Sequence, residues 1–170
     1  MGSDVSFELG AAPSSIRLRR ALFEDVGAVL GVCQRAVDVG CRDHYDPDQR
    51  RAVYLSYVTT AFLDVMLAHL DTFVLECGDQ VIGVTQLDCT DGRLRALFVD
   101  PVHQGRGHGR TLLDGVVLTA RRRGVSWLRG AMSLNAVPFD RRAGFSPCGP
   151  IVPLSGRHPL VPILPMEKRL

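Results

Sequence analysis

The sequence predicts one α/β domain, a mixed and mostly antiparallel sheet with helices on both faces. Three observations carry this. Short strand-like runs separated by hairpin turns crowd residues 72–99. A glycine-rich loop then opens into a long amphipathic helix. A strand, a short helix and a further strand follow. A meander succeeded by a β-loop-α-β unit gives a mixed sheet. The chain has 170 residues, enough for one core that buries about 70% of its unfolded surface.

Residues 1–15 read as a loose polar lead-in and 16–170 as the folded domain. Ile16-Arg17-Leu18-Arg19 alternates apolar and charged side chains, as an antiparallel strand does. Leu22, Val26, Val29, Leu30 and Cys33 fit a helical stripe. Asp46-Pro47-Asp48-Gln49 is a helix start, with Asp as N-cap, Pro at the first position and Gln at the third. That helix runs to about residue 70. Its apolar residues (Val53, Tyr54, Tyr57, Val58, Phe62, Val65, Met66) exceed one stripe, leaving some for a pocket wall or a homodimer contact.

Strand signals come next, over 72–77, 80–88 and 93–99. Gly78-Asp79 and Asp91-Gly92 between them are hairpin chemistry. A helix over 107–123, a strand over 126–132, a short helix near 135–142 and a strand around Phe145 follow. Proline is dense after residue 147, which assigns the last strands to edges or broken pieces.

Net charge is +2, too small to attract nucleic acid or an anionic membrane strongly. Arg121-Arg122-Arg123 and Arg141-Arg142 sit late in predicted helices, where they complement the dipole. The five cysteines are scattered and form no Cys-x-x-Cys pair. Cys41-Arg42-Asp43-His44 lacks the second pair a tetrahedral zinc site requires, so no metal is expected. Reduced, mostly buried thiols in a cytoplasmic protein fit this usage. No 18-residue apolar run and no signal-peptide pattern occur, so no membrane segment is expected.

The most informative stretch is Val99-Asp100-Pro101-Val102-His103-Gln104-Gly105-Arg106-Gly107-His108-Gly109-Arg110-Thr111. It reads as a strand end, a tight loop and a helix N-terminus. Free N–H groups and the positive dipole end favour a phosphate or diphosphate there. A P-loop would need Gly at 104 and Lys at 110, and a dinucleotide fingerprint would need Gly at 110. The chain has Gln104 and Arg110. What remains is Gln-x-x-Gly-x-Gly after a Val-Asp-Pro strand end.

This motif resembles the coenzyme A diphosphate loop of the GNAT acetyltransferases. A second segment, Ser133-Leu134-Asn135-Ala136-Val137-Pro138-Phe139-Asp140-Arg141-Arg142-Ala143-Gly144-Phe145, is similar to that family's Asn-Ala-x-Pro-Phe-Tyr-x-x-x-Gly-Phe segment, and Met166–Leu170 to its last strand. The resemblance covers roughly residues 16–170. It implies a GNAT-like fold with splayed fourth and fifth strands, and transfer of an acetyl group from acetyl-CoA to the amine of a small acceptor by direct attack. It also implies that backbone groups of Leu97, Phe98 and Val99 pair with the pantetheine arm. Gln104, Gly105, Arg106, Gly107, His108, Gly109, Arg110 and Thr111 would hold the diphosphate, and Asn135 the arm.

Two positions depart from the family pattern. Asp140 stands where a Tyr commonly serves as acid to the leaving thiolate. An ionised Asp140 would oppose that departure, and a protonated one would assist it. A solvent-facing helix residue is the alternative. On the strand leading to Val99, Arg93 stands where some members carry a base. An amine of pKa about 10.4 is roughly 0.04% neutral at pH 7, a cost of about 4.6 kcal/mol. Asp88, Glu76 and the Asp43-His44-Tyr45-Asp46 loop between the first two helices are the candidates to take that proton, and His44 has the right intrinsic pKa; an exposed loop histidine without a role is the alternative. Arg93 and Arg95 share a face by period two. They either favour an anionic or zwitterionic acceptor or face solvent. A non-catalytic acyl-CoA-binding module that serves as a sensor or partner is the rival functional reading.

Overall fold

The computed structural model describes residues 15–67, 70–154 and 160–170. Strand β1 (Ile16–Arg20) leads through a short 3-10 turn into α1 (Val26–Gly40) and α2 (Pro47–Leu67). Then come β2 (Asp71–Cys77), β3 (Gln80–Asp88) and β4 (Arg93–Val99), followed by α3 (His108–Arg122), β5 (Trp127–Ser133) and α4 (Val137–Arg142). Two dipeptide strands, β6 (Ser146–Pro147) and β7 (Val152–Pro153), precede β8 (Pro162–Arg169). The sheet order is β1-β2-β3-β4-β5-β8-β6, with β7 also on β8.

The predicted start of α2 forms as a full capping box. The Asp46 carboxylate accepts from the Gln49 N–H at 2.8 Å, and the Gln49 side chain accepts from the Asp46 N–H at 3.1 Å. Leu22 differs from expectation: it precedes the 3-10 turn and is exposed, so the α1 stripe begins later. α1 packs Val29, Val32 and Cys33 on Val74 and Val84 of one sheet face. On the other face α3 packs Leu112 against Leu75 and Ile82, and Leu113 and Val116 among Leu87, Leu128 and Met166. All five cysteines are free thiols; Cys33 and Cys41 are buried, Cys77 and Cys89 half-buried, and Cys148 exposed.

The sequence reading of the C-terminus needs correction. β8 is one continuous strand, paired with β5 from Trp127↔Arg169 to Ser133↔Ile163. Pro165 is tolerated because its missing donor points away from β5, and Pro162 because it opens the strand, outside the β5 ladder that ends at Ser133↔Ile163. The Pro165 carbonyl accepts from the Cys148 N–H on the far side, and in an extended strand a residue's N–H and C=O share a side. On that far side the pairing is indeed broken, into β6 and β7.

The sheet opens at its centre. β4 and β5 are parallel neighbours that pair only at Arg93↔Arg129. Beyond that pair they diverge, each held by its outer neighbour, β3 for β4 and β8 for β5. Gly92 lets the two strands meet at the closed end. It has φ +69°, and a Cβ there would run into the Trp127 carbonyl oxygen. Gly92→Ala should therefore lose at least about 2 kcal/mol of stability, read by urea unfolding.

Candidate active site

The gap between β4 and β5 is the mouth of a cavity of about 420 Å³. β4 supplies one wall. Asp100 N–H bonds the Ile82 carbonyl, so alternate residues Phe98 and Ala96 also turn their backbone groups toward β3. Leu97 and Val99 turn theirs into the gap. The Gln104 side-chain amide donates to the Val99 carbonyl at 2.9 Å, closing the loop on its own strand. The Leu97 N–H and C=O and the Val99 N–H are left facing the gap. Phe98 borders the cavity with its ring, edge-on to Tyr57 of α2 at 4.9 Å between centroids.

The loop between β4 and α3 forms the second wall. Asp100 is buried and anchors it. Its carboxylate takes the Val102 N–H at 3.2 Å and the Arg35 guanidinium of α1 at 2.7 Å. Gly105 and Gly107 have φ +75° and +86°, and a Cβ on either would meet nothing within 4 Å. These glycines serve backbone angle and leave open space above the loop. Gly107 is the N-cap of α3 and no side chain caps this end. The N–H groups of His108, Gly109 and Arg110 thus lack intrahelical partners. Burial, then His103 and Arg106, hold the His108 imidazole below its ordinary value.

α4 forms the floor. A Cβ on Gly109 would come within 3.2 Å of the Phe139 ring, so the first turn of α3 rests on α4 because residue 109 has no side chain. Asn135, at the β5–α4 junction, lines the cavity, and its carbonyl oxygen accepts from the Cys41 thiol at 3.2 Å.

Asp140 is not solvent-facing. It is 4% exposed, and its Oδ2 is a buried atom without a hydrogen-bond partner. Burial pushes this carboxyl up to about 7. Asp140 is the buried residue of α4, and unlike its neighbours Phe139 and Arg142 it does not line the cavity.

Of the sequence-derived loop residues, Leu97, Phe98, Val99, Gln104, Gly105, Gly107, His108, Gly109, Arg110 and Asn135 line the cavity. Arg106 and Thr111 do not: Arg106 is exposed, and Thr111 bonds the Gly107 carbonyl inside the first turn of α3. His44 is exposed in the α1–α2 turn and lies off the cavity lining. Arg93 and Arg95 also lie off it. The register passes from Leu87↔Leu94 to Gln86↔Ala96, so Arg95 is an extra, bulged residue and strict period two fails there. Arg93 pairs with Asp91 at 3.3 Å and Arg95 with Asp88 at 2.8 Å. Their charges are thus matched within the hairpin. Ala36, Cys41, Phe139 and Arg142 also line the cavity. The sequence gives no local signal for Ala36 or Cys41; Phe139 sat in the second motif without an assigned role. Among the described residues, no group of His, Cys, Asp and Glu could hold a metal ion, and no helix is long and apolar enough to cross a membrane.

The family model for the acetyltransferase (GNAT) domain matches residues 41–170. The chain belongs to the GNAT acetyltransferase family. Solved structures of similar fold include a GCN5-related N-acetyltransferase from Rhodopseudomonas palustris, 24% identical, with TM-score 0.81 over 94% of this chain and 98% of that one. PaiA N-acetyltransferase from Thermoplasma acidophilum, in complex with coenzyme A, is 17% identical, with TM-score 0.74 over 92% and 99%. YncA from Salmonella typhimurium, with acetyl-CoA, is 23% identical, with TM-score 0.61 over 92% and 95%. A mycothiol acetyltransferase from Streptomyces avermitilis is 36% identical over 63 residues, 35% of this chain; the match spans only 20% of that relative's length.

As a GNAT domain with an acidic residue on α4, the protein carries a built-in pH dependence. The folded carboxyl titrates near 7 and the unfolded one near 3.9. Between these values the folded state binds the extra proton, so stability falls as pH rises. Asp140→Asn should therefore gain on the wild type by about 3 kcal/mol between pH 4 and pH 8. Parallel denaturant titrations at the two pH values read this; a constant difference would contradict a buried, neutral carboxyl.

Proposed function

We propose that this GNAT domain transfers an acetyl group from acetyl-CoA to the amine of a small-molecule acceptor by direct attack. The observation that carries the reading is the juxtaposition of an uncapped α3 N-terminus with the β4–β5 gap around one cavity. The residues fit coenzyme A. The free N–H groups of His108, Gly109 and Arg110 and the open space over Gly105 and Gly107 suit a diphosphate. The backbone groups of Leu97 and Val99 suit an extended arm laid along β4 as an added strand. Phe139 and Asn135 border the arm on the α4 side. Similar folds carry coenzyme A or acetyl-CoA in PaiA and YncA, which supports the same ligand class here.

Acetyl-CoA supplies a thioester carbon and a thiol leaving group. In the transfer, the acceptor nitrogen bonds the acetyl carbon, the C–S bond breaks, and the amine proton passes to solvent. Asp140, held neutral by burial, gives its proton to the departing sulfur and is restored from solvent. None of the described cavity-lining residues is a carboxylate, so an amine of low basicity, already neutral near pH 7, is the fitting acceptor. The rival reading, an acyl-CoA-binding module, draws on the replacement of the family's usual Tyr by Asp140.

Two measurements test this. His108→Glu places a carboxylate at the first turn of α3, which suits the helix dipole but opposes a diphosphate. CoA affinity should fall at least about tenfold by calorimetry while the melting temperature holds. Single-turnover acetyl transfer by Asp140→Ala should be slower by about 10² at pH 6. The gap should close as pH passes 7, since the wild-type carboxyl is then ionised. An Asp140→Ala variant as fast as wild type at pH 6 would sink the acid role. Tight acetyl-CoA binding with no transfer to any of a broad amine panel would favour the binding module.

A further inference from the structure

The turn between α1 and α2 is fastened to the far wall of the cavity by two of its residues, Cys41 and Tyr45. The Tyr45 hydroxyl accepts from the Leu134 N–H at 2.8 Å and donates to the Pro162 carbonyl at 2.7 Å. The Cys41 thiol donates to the Asn135 carbonyl oxygen at 3.2 Å. Both side chains are 3% exposed. One turn therefore holds two consecutive positions, 134 and 135, where β5 gives way to α4. Cys41 itself borders the cavity beside Asn135, and its backbone N–H closes α1 on the Val37 carbonyl, which fixes its Cα at the end of that helix.

A carboxamide can present either its carbonyl or its N–H₂ to a ligand, and the bond on the other side decides which. With its oxygen taken by a thiol, Asn135 has its N–H donors to offer. The Nδ2 atom lies beside the end of α1, 3.7 Å from where a Cβ on Gly40 would stand. A thiol serves only while protonated, and burial pushes Cys41 up to about 11.

We infer that Cys41 is a positioning residue: its S–H fixes the Asn135 carboxamide so that the N–H₂ group faces the cavity and selects a cofactor arm that carries amide carbonyls. This rests on the proposed coenzyme A site and adds to it a residue from the α1–α2 turn. A serine at 41 would keep the donor. A valine would keep the apolar volume and lose it, letting the amide turn over. An aspartate would reverse the choice by accepting from Nδ2.

The test is a series of Cys41→Ser, Cys41→Val and Cys41→Ala in wild-type and Asn135→Ala backgrounds, with CoA affinity by calorimetry and steady-state kinetics with acetyl-CoA. Cys41→Val and Cys41→Ala should weaken CoA by about 3- to 10-fold, the range of one hydrogen bond. KM for acetyl-CoA should rise by the same factor and kcat should hold. Cys41→Ser should stay within about twofold of wild type, and the Asn135→Ala background should erase the effect of Cys41→Val. Melting curves identify any variant that fails to fold, in which case the Asn135 side-chain amide resonances of wild type and Cys41→Ser carry the test: they should shift on CoA addition in both. Unchanged CoA affinity in a folded Cys41→Val, or a kcat loss without a KM change, overturns the positioning role and leaves the coenzyme A reading intact. A wild type that binds no CoA overturns both.

Discussion

Everything in the site depends on the parting of β4 from β5. Two parallel neighbours in the middle of a sheet ordinarily share a ladder. Here they share one pair, Arg93↔Arg129, reinforced by the Arg129 N–H on the Gly92 carbonyl at 3.0 Å. β4 keeps its ladder with β3 and β5 keeps its ladder with β8, so the gap does not unravel either half. It does leave inward-facing backbone groups of Leu97 and Val99 without strand partners. Unmet backbone groups are costly once water is excluded. Gln104 satisfies one of them from within the loop. The others remain as a row of donors and an acceptor, which a chain lying along β4 can complete.

The short helix beside this opening also buries a carboxyl, Asp140, off the cavity lining. Asp140 sits one residue past Phe139, whose ring is packed against α3, and three residues before Ala143, which belongs to the main core cluster. A six-residue helix with Val137 and Phe139 committed to packing on the core has little rotational freedom, so residue 140 points where it does whatever its identity. An ionised carboxylate there is opposed by desolvation, and neutralisation relieves it. That is the physical content of the shift toward neutrality. The fold imposes it on Asp140, and a thioester site can use it.

The sequence was informative where chemistry is local. The Asp46–Gln49 box, the two hairpin turns and the loop from Asp100 to Thr111 each carry their own geometry in adjacent residues, and the elements formed within a residue or two of expectation. Residues named from the loop motif mostly line the cavity for the same reason. The failures are non-local. Period two placed Arg93 and Arg95 on one regular face, but an extra residue in β4 relative to β3 interrupts the alternation, and only the pairing shows it. Prolines argued against a regular β8, yet the side Pro165 turns to β5 and the place of Pro162 at the strand's start decide, and no single-strand pattern contains that. Asp140 read equally well as solvent-facing because its burial is set by β5, α4 and α3 together. The Cys41–Asn135 contact joins residues 94 positions apart, beyond any motif.

Gly109 ties these parts into one body. Its missing side chain admits the Phe139 ring at 3.2 Å from the Cβ position, and that contact sets the distance between the uncapped end of α3 and the α4 turn that bears Asp140. Asn135 enters the same frame from the β5 side, held by Cys41. The cavity therefore has its uncapped helix end and its β4 and α4 walls fixed by contacts among small or rigid groups, with Asp140 on α4 off the cavity lining. Preorganisation of this kind suits a reaction whose chemistry is a single displacement. The residues need only hold the thioester carbon open to attack and keep one proton within reach of the sulfur. A side chain at 109 would separate α3 from α4 and lengthen that frame. This constraint accounts for the last glycine of the loop by packing, where the first two are accounted for by backbone angle.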